Sequence, residues 1–222
     1  MMQKKLIIWD FDGVIADTDS VWMKIFYQKM IKECGYTQNF EDFYYMCGGM
    51  SIITLKKTFQ NLGFQIGDSF FEEVKQEFTD TVNANFPLVE NADTTIKNIN
   101  KTQCLATGTP ASRISWKVKL SNLEDVFTSK NSFSSELVAN GKPAPDIFLY
   151  AAQKMGFEPK DCVVVEDSFV GLQAAISANM TPIAFVGCKT NNNQIRIEKI
   201  KQMGVKHIFA DFIELGKFLE NM

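Results

Sequence analysis

The feature that most constrains this chain is an alternation of short, continuously apolar segments with helical stretches. The apolar segments occupy residues 6–9, 162–165 and 183–186; the segment at 103–106 is similar apart from Gln103, and a weaker one lies at 207–210. Continuous apolar runs of this length indicate strands that are buried on both faces, as in a parallel sheet. Helical stretches at 92–100, 111–120, 146–155, 170–178 and 212–221 accompany them. The alternation predicts an α/β fold with a Rossmann-like, doubly wound parallel sheet.

The alternation is interrupted between residues 16 and 86, where only helical segments are predicted. They cover 20–34, 40–46, 51–62 and 69–83, and glycines separate them. We therefore expect a core domain made of residues 1–15 and 87–222, with an inserted helical cap domain at 16–86. In the last segment Phe70, Phe71, Val74 and Phe78 have helical spacing, which indicates core packing rather than a binding stripe.

Composition narrows the classes of partner. The 222 residues carry 23 basic and 26 acidic side chains, and this net charge of −3 does not favour nucleic acid or an anionic membrane surface as a partner. No apolar run approaches the length of a membrane span. Five dispersed cysteines without a CxxC pair indicate reduced thiols. We expect a soluble, cytoplasmic protein that is a monomer or a weak homodimer.

Acidic residues follow two of the predicted strands. Asp10 and Asp12 come directly after the first strand, and Glu166 and Asp167 end the segment that begins at residue 162. In an open parallel sheet, ligands bind at the carboxyl ends of the strands. Taken singly, each acid is also explained by a purely structural role, as a turn residue or as the cap of a helix. Two adjacent acids after a buried strand are costly unless a cation or hydrogen bonds compensate them.

Two further clusters have the chemistry of an anion site. Thr107 and Gly108 offer a hydroxyl and a bare amide just before a helix, although an ordinary helix cap explains them equally well. Lys142 lies in a segment stiffened by Pro143 and Pro145, which favours a fixed side chain over a solvated one. Oxygen ligands without histidine or cysteine partners favour a hard cation such as Mg²⁺. Together the clusters predict phosphoryl transfer to or from a small phosphorylated metabolite.

These four stretches together resemble the haloacid dehalogenase superfamily of phosphohydrolases, in the subgroup of β-phosphoglucomutase and sugar-phosphate phosphatases. The matching sequences are DFDGVIADT from Asp10, TGT from Thr107, GKPAPDIF from residue 141 and VVVEDSFVG from residue 163. They occur in the family's order and spacing and span the whole core. The resemblance implies a Mg²⁺-dependent phosphatase with a small helical cap.

The resemblance also implies a role for each motif residue. Asp10 would attack phosphorus and form an aspartyl-phosphate, and Asp12 would serve as general acid and then as general base. Thr107, the Gly108 amide and Lys142 would hold the phosphoryl oxygens. The Asp10 and Asp167 side chains and the Asp12 backbone carbonyl would bind Mg²⁺, with Glu166 as a direct or water-mediated ligand.

Other activities remain as alternatives to hydrolysis. The acid at position 12 sets dehalogenation aside, because family members with that chemistry lack it. Sugar-phosphate mutases share all four motifs but carry a histidine early in the first cap helix, and the region around Trp22 has none. A binding module without turnover is a third reading, which the presence of both Asp10 and Asp12 disfavours. Trp22, Gly49 and Met50 are the candidate substrate contacts of the cap.

Overall fold

The computed structural model describes residues 5–47, 50, 52–67, 69–188 and 193–222. Its chain divides into two compact units: Met1–Asp17 together with Leu88–Met222, and Thr18–Pro87. The first unit contains the sheet and is the core unit below, and the second is the helical unit. Both boundaries lie close to those expected from the sequence. Within the described ranges, no helix is long and apolar enough to cross a membrane.

The core unit is built on a sheet of six parallel strands. The strands are β1 (Leu6–Trp9), β2 (Thr102–Thr107), β3 (Ser132–Ser134), β4 (Cys162–Glu166), β5 (Thr181–Phe185) and β6 (His207–Phe209). Their order across the sheet is β3-β2-β1-β4-β5-β6, and every neighbouring pair is parallel. The predicted Rossmann-like α/β fold is thereby confirmed.

The strand order places a topological switch point beside β1. From β1 the chain moves outward to β2 and β3 on one side, and β4, β5 and β6 extend the sheet on the other side. Ligands of doubly wound sheets bind in the crevice outside the carboxyl ends at such a point. Asp10 directly follows β1, and Glu166 is the last residue of β4. The sheet therefore brings the first and last acidic motifs to the same crevice.

Ten helices complete the described parts of the two units. The helical unit contains α1 (Thr18–Cys34), α2 (Phe40–Cys47), α3 (Ile52–Asn61) and α4 (Phe70–Ala84). The core unit contains α5 (Ala92–Asn98), α6 (Ala111–Leu120), α7 (Asp146–Met155), α8 (Phe169–Ser177), α9 (Gln194–Gln202) and α10 (Phe212–Glu220).

The sequence analysis missed two of these elements, β3 and α9. Strand β3 has three residues, and its serines on either side of Phe133 give no apolar run. Helix α9 is mostly polar and buries only Ile200. It begins because the Asn193 side chain accepts a hydrogen bond from the Arg196 amide, 2.9 Å away. Neither element has the apolar periodicity on which the prediction relied.

The central strand β1 is completely buried, as its continuous apolar sequence predicted. All four of its residues have a relative exposure of 0%. The one polar atom in these side chains is the indole nitrogen of Trp9, which donates a hydrogen bond to Gln103 on β2 at 2.9 Å. Gln103 in turn donates to the carbonyl of Ile96 at the end of α5. Satisfied polar groups of this kind let an aromatic ring occupy the core without a desolvation penalty.

Aromatic rings form the core of the helical unit. Phe26 of α1 lies within 6 Å, centroid to centroid, of four other phenylalanine rings, those of Phe43, Phe59, Phe70 and Phe71. Edge-to-face and tilted contacts of this type add to the stabilisation from burial alone.

The helix α4 residues singled out by their spacing all face this interior. Phe70, Phe71, Val74 and Phe78 are buried, which confirms the prediction of core packing.

Replacement of Phe26 by alanine should destabilise the helical unit strongly. We expect Phe26→Ala to lower the free energy of unfolding by about 3–5 kcal/mol, because it leaves a cavity among four rings. Chemical denaturation followed by circular dichroism measures the change. Tyr45→Ala, at a ring that is 80% exposed, is the control and should change stability by less than about 0.5 kcal/mol. Equal losses in the two variants would contradict the proposed aromatic core.

Candidate active site

A buried lysine joins two of the predicted acidic residues. The Lys142 ammonium lies 2.6 Å from Asp10 Oδ1 and 2.8 Å from Glu166 Oε1. Its Nζ atom also donates to the Ala106 carbonyl at 3.4 Å, next to the end of β2. All three charged side chains are nearly inaccessible, with 11% of Lys142, 8% of Asp10 and 2% of Glu166 exposed. Lys142 therefore links the carboxyl ends of β1, β2 and β4.

The charges in this cluster shift each other's protonation. The pKa of Asp10 is raised to about 7 overall: burial raises it most, Lys142 lowers it, and the carboxylates of Glu166 and Asp12 raise it. Burial also lowers the pKa of Lys142, but Asp10 and Glu166 outweigh that effect and hold the pKa above its usual value. Lys142 is thus a permanent cation facing two carboxylates. The raised pKa of Asp10 indicates that this lysine alone does not compensate the negative charge.

Both oxygens of Glu166 are already occupied by hydrogen-bond donors. Oε1 accepts from Lys142, and Oε2 accepts from the amide and the hydroxyl of Ser168 at 2.6 and 2.9 Å. The carboxylate also lies against the first turn of α8, where a Cβ atom on Gly171 would fall 1.7 Å from Oε1. This setting suits a residue that orients Lys142 better than one that binds a metal directly.

Asp167 lies against the loop that carries the first two acids. A Cβ atom on Gly13 would fall 2.4 Å from Asp167 Oδ2, so only glycine leaves room for this carboxylate. Gly13 also has a φ of +79°, a conformation that favours glycine. On its other side, the backbone carbonyl of Asp167 accepts a hydrogen bond from Arg196 of α9 at 2.6 Å. The acids of the first and last motifs therefore converge at one end of the sheet.

The predicted phosphate loop follows β2 at the same sheet edge. Thr107 is 1% exposed, and its hydroxyl oxygen accepts the amide of Thr109 at 3.1 Å. Gly108 is exposed, and no atom comes within 4 Å of the place where its Cβ would stand. The amide of Ala111, the first residue of α6, donates to Glu136 at 2.9 Å. This loop thus offers an accessible glycine amide beside a buried hydroxyl.

Asp12 has different partners from Asp10, although the two residues are neighbours in sequence. Its Oδ2 atom accepts a hydrogen bond from Thr109 Oγ1 at 2.7 Å, and the Lys117 ammonium lies 2.5 and 2.7 Å from its two oxygens. Lys117 also donates to Thr109 Oγ1 at 2.9 Å. The three side chains form a closed cluster, and 23% of the Asp12 side chain remains exposed.

Sequence reasoning missed three of these residues, namely Thr109, Lys117 and Arg196. Lys117 had a detectable signal, because it shares one face of α6 with Ile114 and Val118, three residues before it and one after it. A lysine among the apolar positions of a helix indicates a buried ion pair rather than a solvated surface. Arg196 had no such signal, since α9 itself was not predicted.

The cap candidates lie in the helical unit or outside the described residues. Trp22 is half-buried in α1, and its ring packs edge-on against Phe78 at a centroid distance of 5.7 Å. Met50 is 37% exposed, and its sulfur accepts a hydrogen bond from Thr58 at 3.9 Å. Gly49 lies outside the described residues. The structure thus gives Trp22 a packing role within its own unit.

The donor set at the switch point fits a hard divalent cation. Among the described residues, no three histidine, cysteine, aspartate or glutamate side chains form a metal cage by themselves. Magnesium does not need such a cage, because it is held by one or two carboxylates with backbone, water and phosphate oxygens. Asp10 meets this requirement, since its Oδ2 accepts no hydrogen bond from any described residue, and Asp167 lies beside the same loop. The uncompensated negative charge on Asp10 also favours a cation.

Most of the chain matches a known protein family. Residues 4–179 match the family described as haloacid dehalogenase-like hydrolase. The chain belongs to this family. The sequence-based prediction of a haloacid dehalogenase hydrolase is thereby confirmed, and so is the prediction that the protein is an enzyme.

Two curated relatives of this haloacid dehalogenase-like hydrolase are phosphatases by name. A probable pseudouridine-5'-phosphatase of Drosophila melanogaster is 32% identical over 182 residues, which cover 78% of each chain. A phosphorylated carbohydrates phosphatase of Thermotoga maritima is 28% identical over 204 residues, covering 86% of this chain and 89% of its own.

A solved structure shows the same fold over the whole chain. A haloacid dehalogenase-like protein of unknown function from Agrobacterium tumefaciens aligns with a TM-score of 0.86 at 22% identity. The alignment covers 99% of both chains. At this identity the likeness establishes the fold alone.

The contact between Gly13 and Asp167 is testable without any assay of activity. Gly156 also has a positive φ, +75°, but has no atom within 4 Å of its Cβ position. Alanine at either glycine should lower the free energy of unfolding by about 1–2 kcal/mol, because a residue with a Cβ atom is strained in the left-handed backbone conformation. Gly13→Ala should cost more than Gly156→Ala, because its methyl group displaces the buried Asp167 carboxylate. Thermal denaturation of the two variants measures the difference, and equal losses would show that Asp167 does not press on this loop.

Proposed function

We propose that this protein is a Mg²⁺-dependent phosphatase that hydrolyses a small phosphorylated metabolite through an aspartyl-phosphate on Asp10. The observation that carries the proposal is the position of Asp10 at the switch point, paired with the buried Lys142. A carboxylate held at this place is oriented for attack, and the ammonium beside it can neutralise the phosphoryl group that it attacks.

In the first half-reaction, the Asp10 carboxylate attacks phosphorus and the bond to the ester oxygen breaks. The leaving oxygen takes a proton from Asp12, which yields the free alcohol and an acyl phosphate on Asp10. Lys142, the Thr107 hydroxyl and the Gly108 amide hold the phosphoryl oxygens. Gly108 follows β2, whereas Lys142 lies in the segment between β3 and α7.

In the second half-reaction, water attacks the same phosphorus atom. Asp12, now a carboxylate, takes a proton from that water, and the acyl-phosphate bond breaks to release inorganic phosphate and restore Asp10. Asp12 suits both steps because part of its side chain is accessible, whereas Asp10 is almost fully buried.

Magnesium would be held by the Asp10 and Asp167 carboxylates and by the backbone carbonyl of Asp12. When bound, the ion supplies positive charge that lowers the repulsion between an anionic nucleophile and an anionic phosphate. Glu166 would act on this centre through Lys142, since both of its oxygens already accept hydrogen bonds.

The names of the relatives support a phosphorylated sugar or a related metabolite as the substrate. The two relatives are named for a phosphorylated nucleoside and for phosphorylated carbohydrates. We assign the choice among such substrates to the helical unit, Thr18–Pro87, as its cap function. Trp22, Gly49 and Met50 remain the candidate contacts.

A sugar-phosphate mutase is the second candidate, and the histidine content argues against it. The sequence contains one histidine, His207, which lies on β6 of the core unit and packs against the Phe218 ring at 4.6 Å. The region around Trp22 contains none. An enzyme that lacks this residue is expected to pass the phosphoryl group to water.

A screen of phosphorylated metabolites, scored by kcat/KM with and without Mg²⁺, tests the proposal. We expect metal-dependent phosphate release that falls by at least about a thousandfold in Asp10→Asn, because the amide is not a nucleophile. Asp146→Asn, at an acid on α7 outside the cluster, is the matched control and should retain activity. Phosphate release that persists in Asp10→Asn would reject the covalent mechanism.

Glucose 1-phosphate and related substrates distinguish the phosphatase from the mutase. We expect one free phosphate for each sugar phosphate consumed, measured by a colorimetric phosphate assay alongside chromatography of the sugars. An isomerised sugar phosphate without free phosphate would favour the mutase instead.

A further inference from the structure

Lys117, Thr109 and Asp12 form a cluster of hydrogen bonds beside the candidate nucleophile. Lys117 projects from α6, and its side chain is only 8% exposed, so its ammonium is largely withdrawn from water. Burial of an unpaired charge is costly. The desolvation of the ammonium is compensated because it donates hydrogen bonds to both oxygens of Asp12 and to Thr109 Oγ1.

The partners of Asp12 hold its carboxylate from two sides. Thr109 donates to one oxygen, while Lys117 donates to both. Because each donor is buried, the carboxylate has few alternative positions. Lys117 also lies over the Phe11 ring, 5.5 Å from its centroid, which orients the lysine relative to the loop that carries Asp12.

Thr109 connects this cluster to the phosphate loop. Its amide donates to the Thr107 hydroxyl oxygen at 3.1 Å, and its own backbone carbonyl accepts the Ser134 hydroxyl at 2.8 Å. One residue thus ties the predicted phosphate ligand Thr107 to the side chain of Asp12. The distance between the bound phosphoryl group and the acid–base carboxylate would depend on Thr109.

We infer that Lys117 and Thr109 are positioning residues for the acid–base function of Asp12. The inference rests on the proposed phosphatase function and adds two residues to it that touch neither phosphate nor metal. Lys142 positions the proposed nucleophile from the loop before α7, and Lys117 positions the proton carrier from α6. The reaction would then use two separate buried lysines, one for each aspartate.

The central test compares Lys117→Met with Lys119→Met on the best substrate of the screen. Lys119 lies on the same helix but is exposed, so its variant should match the unmodified protein. We expect Lys117→Met to lower kcat about a hundredfold with little change in KM, since misplacement of a catalytic group slows chemistry more than binding. Lys117→Arg should restore part of kcat, because a guanidinium can also reach both carboxylate oxygens.

Thr109 variants provide an independent arm of the same test. Thr109→Val removes the donor and keeps the side-chain shape, so kcat should fall. Thr109→Ser keeps the hydroxyl, so this variant should retain most of the kcat of the unmodified protein. A Thr109→Val variant as active as Thr109→Ser would overturn the role of this hydroxyl.

Stability measurements test the ion pair between Asp12 and Lys117 without any assay of catalytic activity. Asp12→Asn leaves the Lys117 ammonium buried without its carboxylate, so its Tm should drop below that of the double variant Asp12→Asn with Lys117→Met. A double variant that is less stable than Asp12→Asn would show that the pair is not formed.

The outcomes separate this inference from the proposed function. If the unmodified protein releases no phosphate in a metal-dependent manner, the proposed function fails and the positioning role fails with it. If the protein is active and folded Lys117→Met has unchanged kcat, only the positioning role is overturned. A loss of Tm without a loss of kcat gives Lys117 a structural role and also overturns the inference.

Discussion

The buried contact between Lys142 and two carboxylates is the interaction on which the rest of the site depends. Burial of Lys142, Asp10 and Glu166 is tolerable only because each charge has a partner of opposite sign within 2.8 Å. The contact also joins three strand ends that are far apart in sequence. Removal of Lys142 would leave two buried carboxylates without their cation. The same energetic requirement that holds the cluster together therefore holds the proposed nucleophile, Asp10, in place.

The fold supplies this arrangement through its strand order. Because β1 lies at the centre and β2 and β4 flank it, the residues that follow these strands emerge side by side. A sheet in sequential order would separate Asp10 from Glu166 by several strand spacings. The doubly wound order is thus the structural reason that motifs 156 residues apart in sequence, at Asp10 and Glu166, meet at one lysine. Local loop geometry then completes the site, as the close approach of Asp167 to Gly13 shows.

The sequence was most informative where burial imposed a pattern. Mostly apolar runs predicted β1, β2, β4 and β5, because strands buried on both faces accept a polar residue only where its hydrogen bonds are satisfied, as they are for Gln103 on β2. The bounds of α6 and α7 were also predicted correctly, since both helices have a clear apolar face and begin after a proline. β3 and α9 were missed because their contacts are too few or too polar to leave a periodic signal.

The prediction of the candidate active site was limited in the same way, because a sequence pattern reports burial but not the contacts between side chains. Strand ends and motif order predicted Asp10, Lys142 and Glu166 as members of one cluster, and the structure brings them into contact. The sequence did not predict how the four acids share their partners. The resemblance implied that Glu166 is a direct or water-mediated metal ligand, and in the structure its two oxygens accept hydrogen bonds from Lys142 and Ser168. Pairings between side chains on different elements depend on three-dimensional packing, which no local pattern of residues encodes.

In the proposed mechanism, the division of partners between Asp10 and Asp12 suits these two neighbouring carboxylates to different chemical tasks. Environment rather than residue type separates a nucleophile from an acid–base group. Asp10 is the more buried of the two and faces a lysine that is shared with Glu166, so it is held against the sheet and has little freedom to exchange protons with solvent. Asp12 is more exposed and has a lysine and a hydroxyl of its own. A residue that must give a proton to one oxygen and take a proton from another needs such access. The spacing of two in the sequence thus places both acids at the crevice, and lysines from two separate segments, α6 and the loop before α7, give them different surroundings.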